Sequence, residues 1–139
     1  MYLLDTNVVS ELRKVDAGLA DLRVKVWAEN LDAQSAFLSV ITVLELEQGI
    51  LLMERRDPQQ GKMLRDWMEN LVLPDFVGRI LPVDLSAARK CAALHVPDPL
   101  EDRDSLIAAT ALVHGMTVVT RDVSHFERTG VGILNPWES

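Results

Sequence analysis

Tyr2-Leu3-Leu4-Asp5-Thr6-Asn7 decides how this chain folds, because three apolar residues stop abruptly at three side chains that favour helix N-caps. The run predicts a buried first strand passing straight into a helix. Working outward, Ala36-Phe37-Leu38-Ser39 is a second short strand and Arg79–Val83 a third, whose Pro82 suits a strand end or an edge. Thr117–Thr120 is a fourth, followed by Arg121-Asp122, and Val131–Leu134 a fifth, ending at Asn135-Pro136. Short apolar strands separated by helices predict a parallel sheet covered on both faces, the α/β class.

The intervening stretches carry helical spacing. After Gly18, the residues Leu19, Leu22, Val26 and Trp27 share one face, which is expected to be buried. Thr42 to about Arg56 is the next helix, with Thr42-Val43-Leu44-Glu45 matching a capping box. Asp57-Pro58 then opens a helix reaching the region of Val77, with Leu64, Trp67, Met68 and Leu71 as its apolar stripe. Helices over Ser86–His95 and Asp104–His114 flank a loop at Val96-Pro97-Asp98-Pro99-Leu100, and Gly115 is the expected left-handed cap of the second.

A chain of 139 residues fits a single domain spanning 1–139, large enough for a core without staples. With 21 acids against 14 bases the net charge is −7, which argues against a broad basic surface for nucleic acid. Cys91 is the only cysteine, so intrachain disulfides and cysteine-cluster zinc sites are excluded. No apolar run approaches a membrane span, and Asp5 arrives too early to leave room for a signal peptide. The expected setting is the cytoplasm.

Ligands of an open parallel sheet bind beyond the carboxyl ends of its strands. Asp5 and Asp122 follow strands one and four; Asp104 opens the helix leading into strand four, and Glu45 the helix after strand two. Four carboxylates from distant segments therefore converge on one edge. Each has an ordinary explanation as a cap, a dipole partner or a turn residue. Convergence is what those explanations omit: the carboxylates repel, with only Arg103 and Arg121 nearby. A hard divalent cation, Mg²⁺ or Mn²⁺, relieves such repulsion through oxygen ligands.

Asp5-Thr6-Asn7, Glu45 in Val43-Leu44-Glu45-Leu46, Asp104 in Asp104-Ser105-Leu106-Ile107-Ala108-Ala109, and Thr120-Arg121-Asp122 together resemble the PIN-domain ribonucleases, and most closely the VapC toxins of type II toxin–antitoxin modules. The tail Ile133-Leu134-Asn135-Pro136-Trp137 is similar to the FitB-like branch. The resemblance implies a Rossmann-like three-layer α/β/α fold with a five-stranded, mainly parallel sheet. It implies a metal-dependent endoribonuclease that cleaves by in-line attack of an activated water, with Asp5, Glu45, Asp104 and Asp122 catalytic and Asp5, Asp104 and Asp122 holding Mg²⁺ or Mn²⁺. It further implies a homodimer, a cognate VapB- or FitA-like antitoxin as inhibitor, and operator DNA binding only through that complex.

Thr6, Thr120 and Asp102 are supporting candidates: the threonines orient carboxylates or cap, and Asp102 caps or joins the acid cluster. Glu47 rivals Glu45 on periodicity, and only the family pattern favours Glu45. His95, His114 and His125 show no ligand or triad spacing, so no histidine is expected to matter beside the acids. Cys91 reads as a small core residue, Arg55-Arg56 as a solvated helix end, and Trp137 as a fastener of the tail. A phosphoacceptor receiver domain is disfavoured because no lysine follows its last strand. The alternative kept is a PIN-fold binding module acting with a DNA-binding antitoxin in operon regulation, with weak or no nuclease activity.

Overall fold

The structure, a computed structural model, describes residues 1–138. Strands β1 (Tyr2–Leu4), β2 (Ala36–Ser39), β3 (Ile80–Leu81), β4 (Thr117–Val119) and β5 (Ile133–Leu134) form one sheet in the order β3-β2-β1-β4-β5. Every pairing is parallel. The helices are α1 (Thr6–Leu12), α2 (Leu22–Glu29), α3 (Val40–Arg56), α4 (Pro58–Trp67), α5 (Leu73–Asp75), α6 (Leu85–Leu94) and α7 (Asp102–His114). Pro82 follows the two-residue β3, an edge strand, where its missing N–H breaks no ladder.

Strand alternation divides the core into two. Leu4, Leu38 and Val119 face α1, α2 and α3 through Val8, Val24 and Ile50. Leu3 and Val118 face the other way, onto Ile107, Ala108, Ala111 and Phe126. Trp137 is buried in the first cluster and does fasten the tail. Small residues along α7, with Ala108, Ala109 and Ala111 fully buried, let this helix lie close against the sheet. Gly115 ends it at φ 66°, the left-handed conformation that a side chain would strain.

Four expectations change. The helix after Gly18 begins only at Leu22, capped by Asp21, and its phase buries Val24 with Trp27 and Leu31 packed beside it. Leu19, Leu22 and Val26 are exposed instead. The apolar stripe that runs Leu64, Trp67, Met68 continues at Val72 rather than Leu71, because a π-turn over Met68–Val72 adds a residue to the turn. The Thr42 capping box does not form: Ser39 caps α3 by accepting from Ile41 N–H at 3.0 Å. Thr42 lies buried inside the first turn, its hydroxyl directed at the Leu4 carbonyl at 3.5 Å. Cys91 is half-buried rather than core, with Sγ 3.5 Å from Ser105 Oγ. Arg55 and Arg56 are exposed at the end of α3.

Candidate active site

Asp5 is the first residue after β1, and its N–H still donates into the ladder, to Val119 O at 2.9 Å. Its side chain caps α1 by accepting from Thr6 N–H at 2.8 Å through Oδ1. Oδ2 accepts from Thr120 Oγ1, also at 2.8 Å. Capping and membership of the acid cluster are therefore both met by one carboxylate, buried to 5% exposure. Burial pushes its carboxyl above the ordinary range; the Thr120 and Thr6 hydrogen bonds oppose this, and the charges of Glu45 and Asp122 add to it.

Asp5-Thr6-Asn7 is a hub. Thr6 Oγ1 donates to Glu45 Oε1 at 2.7 Å. Asn7 Nδ2 donates to Asp122 Oδ2 at 3.1 Å, while Asn7 Oδ1 accepts from Arg121 N–H at 3.3 Å. Thr120 Oγ1 also accepts from Asp122 N–H at 3.0 Å, which ties the loop after β4 to Asp5. Both threonines thus orient carboxylates. Asn7, read from the sequence as a capping type, is the residue that holds Asp122.

Asp5, Glu45, Asp104 and Asp122 line a single cavity of about 430 Å³ with Thr6, Asn7, Glu101 and His125. Asp104 stands in the first turn of α7, and its carboxyl is pushed up to about 6. Burial is the main cause, joined by the charges of Asp5 and Glu101, while His125 pulls the other way. Glu47, the rival on α3, points away and pairs with Arg65, which spans to Glu54 and Glu69 as well. With helical turns of 3.6 residues, two positions on α3 suffice to send Glu45 and Glu47 to different faces.

Besides Asn7, two residues in this cavity were not expected, and one expected residue is absent. Glu101 is the N-cap of α7, accepting from Arg103 and Asp104 N–H, and its spacing of three from Asp104 is the helical signal that marks it. Asp102 lies on another side of that turn, with a 90% exposed side chain 3.9 Å from His95 Nε2, and does not join the cluster. His125 corrects the expectation that no histidine matters here: a short 3₁₀ turn after Asp122 brings its Nδ1 to 2.9 Å from Asp104 Oδ2. Arg103 stays near, 3.8 Å from Glu45, whereas Arg121 turns its guanidinium over the Trp137 ring, 5.3 Å from the centroid.

Among the described residues no three His, Cys, Asp or Glu side chains form a closed metal-ligand set. Mg²⁺ does not require one, since it keeps several waters and binds through one or two carboxylates plus substrate phosphate oxygens. The donors are all hard oxygens, and neighbouring acids add to the burial that raises the Asp5 and Asp104 carboxyls, a repulsion that a divalent cation would relieve. The residues fit such an ion.

The PIN domain family model matches residues 2–132. VapC ribonuclease Y4jK of Sinorhizobium fredii is 40% identical over 143 aligned residues, covering 99% of each chain. Toxin FitB of Neisseria gonorrhoeae is 38% identical, again across 99% of each chain. The structure of FitAB bound to an IR36 DNA fragment superposes with a TM-score of 0.88 at 37% identity, covering 99% of this chain and 96% of that one.

Proposed function

Because the chain belongs to the PIN-domain family, among the toxins of the VapC and FitB type, we propose that it is a metal-dependent endoribonuclease whose active site is the cavity of Asp5, Glu45, Asp104 and Asp122. The observation that carries this reading is the meeting of those carboxylates, from four separate segments, in one cavity at the strand ends. Asp5 and Asp104 would hold Mg²⁺ or Mn²⁺, with Asp122 completing the site through retained water. Such an ion, when bound, supplies Lewis-acid polarisation of the scissile phosphate and offsets charge building on its oxygens. Thr120 and Thr6 N–H hold Asp5 in place, and Asn7 holds Asp122. Glu45, oriented by Thr6, accepts the proton of the attacking water as its oxygen bonds to phosphorus in line with the leaving 3′-oxygen. The products are a 5′-phosphate and a 3′-hydroxyl, and no 2′-hydroxyl chemistry is called for.

FitAB is a complex that binds DNA, and the likeness supports a cognate antitoxin of the VapB or FitA kind as inhibitor and as the DNA-binding part of the pair. A homodimer accounts for apolar residues left exposed, among them Leu44, Leu51 and Leu52 on α3. No helix among the described residues is long and apolar enough to cross a membrane. We place the protein in the cytoplasm with its RNA.

The test is cleavage of total RNA by the purified chain with Mg²⁺ or Mn²⁺ and with chelator. Asp5→Asn, Asp104→Asn and Glu45→Gln are each expected to lower the rate by a factor of at least about 10² with far-UV circular dichroism unchanged. Glu47→Gln is expected to stay active. Metal-independent cleavage, or an active Glu45→Gln with an inactive Glu47→Gln, would overturn the assignment.

A further inference from the structure

Beyond the acid cluster lies a second cavity, of about 320 Å³, that shares Glu101, Asp104 and His125 with the first. Its remaining wall is Pro99, Leu100, Ser124 and Arg128. We propose that this cavity is a nucleotide subsite, which takes the nucleotide adjoining the scissile phosphate of an RNA strand lying across the acids. The proposal rests on the ribonuclease reading above and names where the substrate continues.

The chemistry of the wall matches a nucleotide part by part. Pro99 and Leu100 offer an apolar face to a base, Ser124 offers a hydroxyl, and Arg128 offers the donors that a phosphate needs. A volume near the low end of ligand pockets, roughly 300–1,000 Å³, suits one unstacked nucleotide. Because Glu101, Asp104 and His125 line both cavities, a strand lying across the acids has this space next to it.

Charge makes Arg128 decisive. In a chain at −7, with a concentrated negative field at the acids, phosphates are held only where a local cation faces them. Arg103 stands on the acid side, 3.8 Å from Glu45, and Arg121 lies over Trp137, so of the three only Arg128 lines this cavity. Arg128 is 58% exposed and paired at 3.8 Å with Asp98, itself 76% exposed, and a further contact to the Asp98 carbonyl is 3.5 Å long. Exposed pairs of this kind contribute little, so the guanidinium is free to turn to a phosphate.

The first arm of the test is a ¹⁵N-NMR titration of the whole chain, with Mg²⁺ present, by the four nucleoside 5′-monophosphates and separately by inorganic phosphate. Amide shifts are expected at Leu100, Ser124, His125 and Arg128, with at least fivefold weaker binding in Arg128→Ala and recovery in Arg128→Lys. Shifts confined to other regions overturn the proposal, and inorganic phosphate binding as tightly as the nucleotides reduces the cavity to a bare anion site and overturns it too. The second arm is cleavage kinetics: Arg128→Ala should raise KM at least fivefold with kcat retained, and should lower the slope of log affinity against log salt by about 0.7, one single-strand phosphate contact. An active variant with unchanged KM and unchanged salt slope overturns the subsite and leaves the ribonuclease reading standing. A wild-type chain that cuts no RNA overturns that reading instead, and the titration then decides the cavity's ligand by itself.

Discussion

Asp104 is where the electrostatic strain of the cluster is concentrated. Its carboxyl sits at about 6 in the folded protein against an ordinary 3.8, so between those values the folded state keeps a proton that the unfolded state has lost. The contribution to stability therefore falls as pH rises through that window: no penalty below about 4, a growing one up to 6, and the full penalty above. In chelator, Asp104→Asn should remove this penalty, because an amide keeps a hydrogen-bonding group for His125 without the charge. We expect urea unfolding to show the variant about 1–3 kcal/mol more stable than wild type at about pH 7.5 and equal to it at about pH 4. Equal stability at both values, or destabilisation at the higher one, would mean that neither burial nor the neighbouring acids raise the Asp104 carboxyl. Added Mg²⁺ should stabilise the wild type and narrow the difference.

Helices and strands differ in how openly the chain declares them. The strands are short, apolar and bounded by capping or turn residues, so all five were legible with ends displaced by a few residues at most in β3 and β5. Helix phase was less legible. The face of α2 depends on where Asp21 starts it, and the stripe after Trp67 depends on a π-turn that periodicity of 3.6 cannot foresee. On α3, apolar residues around most of the circumference hid which glutamate faces the sheet edge, and only tertiary partners, Thr6 for Glu45 and Arg65 for Glu47, separate them. His125 and Glu101 escaped because each is brought in by local geometry, a 3₁₀ turn and a cap, rather than by spacing from a strand. The same dependence on neighbours governs glycine in these helices. A Cβ on Gly61 of α4 would meet the backbone of Glu54 on α3, 2.5 Å from its Cα, whereas one on Gly49 of α3 meets nothing within 4 Å. Gly61→Ala should therefore destabilise by about 1–3 kcal/mol through forced separation of the helix pair. Gly49→Ala should stabilise by about 0.5–1 kcal/mol through propensity alone. Urea midpoints of the two variants carry the test, and a shift in the same direction for both would mean that α3 and α4 do not approach this closely.

Taken as a whole, the molecule is an acidic body with five of its 21 acids in one cavity at the strand ends, and that cluster dictates what an inhibitor can use. Asp5, Glu45, Glu101, Asp104 and Asp122 share a cavity in a chain at −7, so the chain alone should not bind duplex DNA, and DNA binding must come from a basic partner. The same field favours a partner that directs a cation into the cavity, and arginine suits this better than lysine because its planar fork bonds two carboxylate oxygens at once. A cation placed there occupies the position of the metal, and linkage then requires that metal and antitoxin weaken each other by the same factor. The partner's affinity, measured by calorimetry, should fall as Mg²⁺ is raised at constant ionic strength, and the fall should vanish when the arginines and lysines of the segment it inserts into the cavity are replaced. Those replacements should also restore RNA cleavage in the complex while leaving operator binding in place, provided the inserted and DNA-binding parts are separate. If inhibition persists without any basic side chain in that segment, and Mg²⁺ has no effect on affinity, the blockade is steric and the acid cluster plays no part in it.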